Sequence, residues 1–334
     1  MRPALTRRLA ILALAGFVAT GCTARPKGPG AMRVVAGNGT EGFADGTGAA
    51  ARFRKPIRLA ALGEDSVVVA DIFNHAIREV RLDGRVRTIL GGPDRKGYRD
   101  GEAEEAQIAS PHGVGVSPVG VIAVAEASNH TIRLLTPEGS SVGATRYTVS
   151  TLAGAAGQEG DSDGPAAEAR FRSPHAAVFD RDSSLVVPDI GNARVRRVRE
   201  GRVETVAGAE KGTFTYPMDV ALAPDGTLLI ADAGANLIRT WRPAAGLGTL
   251  KVEGELHTPH GVAAGPDGTV YVADMNAHQV VAIDREGRLT RVAGTGEKGP
   301  AEGQLNKPAA VLVHAGHLWI ADLDNHRITV VPLR

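Results

Sequence analysis

One cysteine stands among 334 residues. No intramolecular disulfide can brace the fold, and no cysteine cluster can hold zinc. Charge of one sign is also missing. A formal net charge of +1 gives no basic field, so neither nucleic acid nor an anionic bilayer surface is implied as a partner. Aromatic residues are scarce, at 4%, against 42 glycines, which points to many turns and small, repeated packing units. What is present is globular: 43% of the residues are hydrophobic, in a length that suits one large domain or two ordinary ones.

A long apolar run is absent too. The run from Leu9 to Val18 follows Arg2, Arg7 and Arg8 and is too short to cross a bilayer as a helix. Its proportions are those of a secretory signal over residues 1–21. Ala19-Thr20-Gly21-Cys22 resembles the bacterial lipobox, with Ala19 where a larger aliphatic residue is usual. The resemblance implies that Cys22 carries a lipid and becomes the mature N-terminus. Residues 22–31 then form the lipidated end and a polar, Pro/Gly-rich tether. Ala24 and Arg25 are not Asp, which in a Gram-negative host points to the outer membrane.

From residue 32 to 334 the chain repeats. Proline recurs at Pro56, Pro111, Pro174, Pro217, Pro259 and Pro308, and an acid follows each, at Asp71, Glu126, Asp189, Asp232, Asp274 and Asp322. The spacing is constant to within one residue. After each proline comes a small, apolar strand such as Gly261-Val262-Ala263-Ala264. A turn follows, twice spelled Pro-Asp-Gly, and then a second apolar strand such as Leu228-Leu229-Ile230. Strands apolar at successive positions are covered on both faces. An Asn/His turn leads to a third strand, and a Gly turn to a fourth ending in Gly. Six such units predict an all-β, six-bladed propeller. The sixth unit lacks a fourth strand, and Met32 to Gly37 matches the fourth strand of the fifth. The N-terminal strand is therefore expected to complete the last blade and close the ring.

The segments Asp71-Ile72-Phe73-Asn74-His75-Ala76-Ile77-Arg78 and Asp322-Leu323-Asp324-Asn325-His326-Arg327-Ile328 resemble the NHL-repeat signature, as does the Pro-His-Gly-Val of the second and fifth units. The resemblance covers all six units. Three longer connections, containing Gly42-Phe43-Ala44-Asp45-Gly46, Gly97-Tyr98-Arg99-Asp100-Gly101 and Gly160-Asp161-Ser162-Asp163-Gly164, are similar to inter-blade connections of some members.

The repeated acids are expected to accept turn hydrogen bonds or to pair with the arginine seven residues on. The Asn-His pairs read as turn residues, with Asn as the left-handed one. Asp161-Ser162-Asp163-Gly164 starts like a calcium loop but has no Glu at the required spacing.

The residues just after the prolines are Ile57, His112, His175, Met218, His260 and Ala309. They are expected to line one mouth of the central channel, with His112, His175, Met218 and His260 as ligand-binding positions. Blades sit about 60° apart, so the three histidines do not lie on a three-fold axis. The NHL-type peptidylglycine amidating lyase carries zinc on channel histidines, and by that resemblance His112, His175 and His260 are the positions for a metal. Asp219 would then be the base or an orienting group. A calcium-dependent lactonase would need a Glu/Asn/Asp cluster that these positions do not supply. Two readings stand. One is a non-catalytic binding or scaffold protein that holds a protein, peptide or glycan at the cell envelope. The other is a zinc-dependent lyase or hydrolase.

Overall fold

The computed structural model describes residues 31–139 and 146–333, and the expected signal run and Cys22 lie outside them. Six antiparallel sheets radiate from a central channel. Blade 1 is built from Pro56–Leu62, Ser66–Asp71, Ala76–Arg81 and Arg85–Gly91, ordered from the channel outward. The innermost strands of blades 2, 4, 5 and 6 are Pro111–Val116, Pro217–Leu222, Pro259–Ala264 and Pro308–His314. That of blade 3 is only Val178–Phe179. The N-terminal strand, Arg33–Ala36, pairs antiparallel with Arg327–Pro332 and supplies the outermost strand of blade 6. Closure therefore follows the expected route, with Val35 and Ala36 buried.

Because each sheet is a thin wall, its apolar residues are buried against the neighbouring wall. Six hydrophobic clusters result, one for each junction between blades. The junction of blades 3 and 4, around Val186, Phe214 and Ile230, has the smallest of them. Near the axis the walls converge, and side chains must shrink. A Cβ on Gly113 would lie 2.5 Å from the Cα of Ala176, and one on Gly261 would lie 2.6 Å from the Ala309 carbonyl oxygen.

The repeated acids do what their spacing implies. Asp71 is fully buried, accepts the Arg54 N–H at 2.7 Å, and pairs with Arg78 at 3.0 Å. Glu126 with Arg133 and Asp189 with Arg196 repeat the arrangement. The turn that follows differs in one respect from expectation. In the Asn-His pairs the left-handed residue is the one after Asn, namely His75, His130 and His326, and in blade 5 His278, which follows Ala277, takes the same place, with φ of 49–59°. Asn74 is held instead by its side chain, whose amide donates to Asp71 and to the Gly42 carbonyl, each at 2.7 Å.

That left-handed turn aims the imidazole at the next blade. His75 Nδ1 accepts the Ser110 N–H at 3.0 Å and His130 Nδ1 accepts that of Ser173 at 3.1 Å. His278 does the same for Lys307 and His326 for Lys55, both at 3.2 Å. Asn236 Oδ1 serves Thr258 at 2.9 Å. Five of six junctions are thus latched from one repeated position, four by histidine and one by asparagine. At the sixth, between blades 3 and 4, Ala193 occupies the place and has no acceptor to offer.

The three long connections are more than loops. Gly46–Thr47, Gly101–Glu102 and Gly164–Pro165 each add a short fifth strand to the outside of blades 1, 2 and 3. Sequence patterning misses them because two residues carry no periodicity.

Candidate functional site

Five of the six blades have a β-bulge at the residue after the repeated proline or its equivalent. A bulge re-aims a side chain, and here it turns two consecutive positions towards the axis. The first of them holds His112 in blade 2 and His260 in blade 5, and His175 follows the repeated proline in blade 3, which has no such bulge. The second holds Arg58 in blade 1 and Asp219 in blade 4, on opposite sides of the ring.

These two meet. Arg58 forms an ion pair with Asp219 across the channel, and both are about 4% exposed. Arg58 also donates to the Met218 carbonyl at 2.9 Å. Asp219 accepts the Val220 N–H at 2.8 Å and the Val262 N–H at 3.0 Å. Burial pushes the Asp219 carboxyl up, while Arg58 and these N–H groups pull it down. An acid held by three donors is poorly placed to abstract a proton. Sequence reasoning missed Arg58 because its partner stands in the opposite blade, far along the chain.

On the proline side of this plug lie the histidines. His112 and His175 come together, with ring centroids 4.1 Å apart and planes at 32°. His112 Nδ1 bonds the Ser110 carbonyl at 3.0 Å, and the buried His260 uses its Nδ1 on the Ala309 carbonyl at 2.8 Å. His175 Nδ1 is buried without a partner among the described residues. Burial lowers all three, His112 to about 4 and His260 to about 3, with Arg58 adding to the effect. They are neutral rings at physiological pH. Neutral imidazole is the form a metal needs. Yet no group of three or more His, Cys, Asp or Glu among the described residues is arranged to hold a metal ion, so the fit to zinc fails on geometry. Met218 is half-buried beside them.

On the other side the channel opens into a funnel of about 260 Å³, and Arg58 and Asp219 line it alongside apolar residues. The ends of the innermost strands form its wall, including Val116, Phe179, Leu222, Ala264 and Val313. His112, His175, Met218 and His260 are not among its lining residues. The lining lies a few residues along each strand, where small and large apolar residues gave no functional signal. No helix among the described residues is long and apolar enough to cross a membrane.

Residues 256–283 match the NHL repeat family model. Over 80% of its length the chain is 26% identical to NHL repeat-containing protein 2 of Bos taurus and, equally, of Homo sapiens. It spans 45% of those relatives, about half their length. Among solved structures, an auxiliary nutrient binding protein from Bacteroides thetaiotaomicron superposes with a TM-score of 0.67 at 13% identity, covering 90% of this chain and 75% of the other. A streptogramin B lyase gives 0.59 at 14% identity, covering 84% and 94%. A gluconolactonase from Xanthomonas campestris gives 0.60 at 15%, covering 84% and 87%. At such identities the likeness concerns the fold.

Proposed function

From the premise that the chain is an NHL-repeat β-propeller, we propose that it is a non-catalytic binding or scaffold protein at the cell envelope, holding a protein, peptide or glycan at a mouth of its ring. One observation carries this reading. Arg58 and Asp219 bond each other, His112 and His260 bond backbone carbonyls, and the funnel beside them is walled mostly by apolar residues. Its volume of about 260 Å³ suits the anchoring side chain of a larger ligand better than a whole metabolite. Similarity to proteins described as nutrient-binding agrees with a binding role. A lipid on Cys22 would hold the ring at the membrane near blade 6, where the chain enters the fold.

The test has two arms. A photoreactive residue at position 179 is expected to trap one discrete adduct in intact cells, lost on Leu222→Asp. In a broad hydrolase and lyase screen the purified protein is expected to show no turnover. Turnover abolished by Asp219→Asn in a folded variant would overturn the reading. Incorporation of labelled fatty acid, expected to vanish on Cys22→Ser, tests the anchor.

The alternative, a zinc-dependent lyase or hydrolase, would require His112, His175 and His260 to close on one ion, which their present arrangement does not do. Elemental analysis decides it: stoichiometric zinc lost on changing the three histidines establishes a metal centre, and its absence removes one.

A further inference from the structure

In blades 1 to 3 the buried arginine sits opposite a threonine on the fourth strand: Arg78 with Thr88, Arg133 with Thr151, Arg196 with Thr205. An aspartate from the preceding connection grips both. Asp45 accepts from Arg78 at 2.7 Å, from the Thr88 N–H at 2.9 Å and from the Thr88 hydroxyl at 3.0 Å. Asp100 does so for Arg133 and Thr151, and Asp163 for Arg196 and Thr205. The glycine after each aspartate then pairs with the residue two before the threonine, namely Val86, Val149 or Val203. The covering segment leaves those valines 6%, 1% and 2% exposed.

Blade 4 has the same receptor without the occupant. Arg239 pairs in register with Thr249 and donates to its hydroxyl at 2.9 Å. The buried acid Asp232 is 3.8 Å from Arg239, and no other acid lies within ion-pair distance among the described residues. Two before Thr249 stands Leu247, 37% exposed. Its strand, Gly246–Thr249, is exposed along its whole length, forms the free edge of a four-stranded sheet, and carries no charge to discourage pairing. The connection from blade 3 to blade 4 adds no fifth strand. Residues 1–30 and 140–145 contain no Asp or Glu side chain to supply the missing carboxylate.

We infer that the outer edge of blade 4 is a binding site for an extended peptide carrying an Asp-Gly pair, which adds to the sheet as a fifth strand. The aspartate meets Arg239 and Thr249, the glycine lies opposite Leu247, and a following alanine-rich stretch covers that leucine. An aromatic residue two positions before the aspartate stacks on the guanidinium, as Phe43 and Tyr98 do at 4.8 and 4.6 Å in blades 1 and 2. Main-chain pairing gives affinity and the carboxylate gives selection. This site is independent of the funnel, so it survives or fails apart from the function proposed above.

The probe is a labelled peptide with the sequence of residues 42–51, Gly-Phe-Ala-Asp-Gly-Thr-Gly-Ala-Ala-Ala, titrated by fluorescence anisotropy into the full-length protein. Saturable binding is expected. Replacing the peptide's aspartate by asparagine is expected to weaken it by about tenfold or more, the effect of losing a charge-assisted contact. Arg239→Gln and Leu247→Lys are expected to weaken it similarly, and Arg239→Lys less. The aspartate-to-asparagine comparison leaves the protein untouched, so it remains decisive if a variant misfolds. No saturable binding at about 1 mM, equal affinity for both peptides, or full affinity in a folded Arg239→Gln protein would overturn the inference.

Discussion

Blades 1 to 3 and blade 4 share an arginine–threonine rung, yet they differ in what lies above it. In the first three, a returning segment supplies an aspartate and a short strand, and the arginine is wholly buried. In blade 4 nothing returns, and the Arg239 side chain is 26% exposed. One pair of residues thus serves as a structural clamp or as an open receptor, according to whether the chain comes back over it. A buried charge needs its partners, whereas an exposed one can be left waiting. The same side of the ring has the smallest junction cluster and lacks the histidine latch. The region around blades 3 and 4 is where this ring is least tied to itself.

Substitutions at the two kinds of rung test that contrast. The largest effect is expected from removing residues 32–37, which leaves blade 6 with three strands. Burial of Val35 and Ala36 and several main-chain hydrogen bonds are lost, together about 5 kcal/mol or more. Equal thermal midpoints for truncated and parent chains would mean the N-terminal strand does not close the ring. Next, Arg78→Met strands Asp71 in the interior and is expected to cost about 3–5 kcal/mol in urea unfolding. Arg239→Met, at the exposed rung, should cost under about 1 kcal/mol. Similar losses at the two sites would erase the distinction between clamp and receptor.

The latches make a pH prediction. His75, His278 and His326 are lowered from their ordinary value chiefly by burial, helped at His75 by Lys96 and Arg54, and at His278 by Lys298 and Lys307. For His326, Glu41 and Asp324 partly oppose the shift. A histidine whose folded pKa lies below its unfolded value adds stability in full above about 6.5, and that stability drains as pH falls towards the folded value. Each Nδ1 must be unprotonated to accept its N–H, so each latch is worth about 1 kcal/mol. The melting temperature is therefore expected to drop between pH 7.5 and pH 5. Replacing His75 and His326 by Asn, which keeps an acceptor as Asn236 does, should flatten the drop. An unchanged slope would show that the latches are not its source. The smallest contrast concerns the rung below: Val86→Thr should cost about 1–2 kcal/mol and Leu247→Thr less than about 0.5.

Much of this was readable in one dimension. The proline-to-acid spacing declared six blades, and the arginine seven residues after Asp71 declared its partner. Asp219 and the three histidines were visible as channel residues, but their roles were not. Whether an acid acts as a base or as a plug depends on Arg58, in the opposite blade, and that pairing exists only once the ring closes. The aspartates of the long connections looked like loop residues, because the arginines they grip lie 33 positions on.

Local spacing, and strands that must be covered on both faces, are enough to set the repeat, the blade count and the closing strand. Which residues line the funnel, which acids are neutralised and which edge is left bare emerge only in the folded ring. Those properties belong to pairs of residues brought together from distant blades, and a charge or an edge has no fixed meaning until its neighbour is in place.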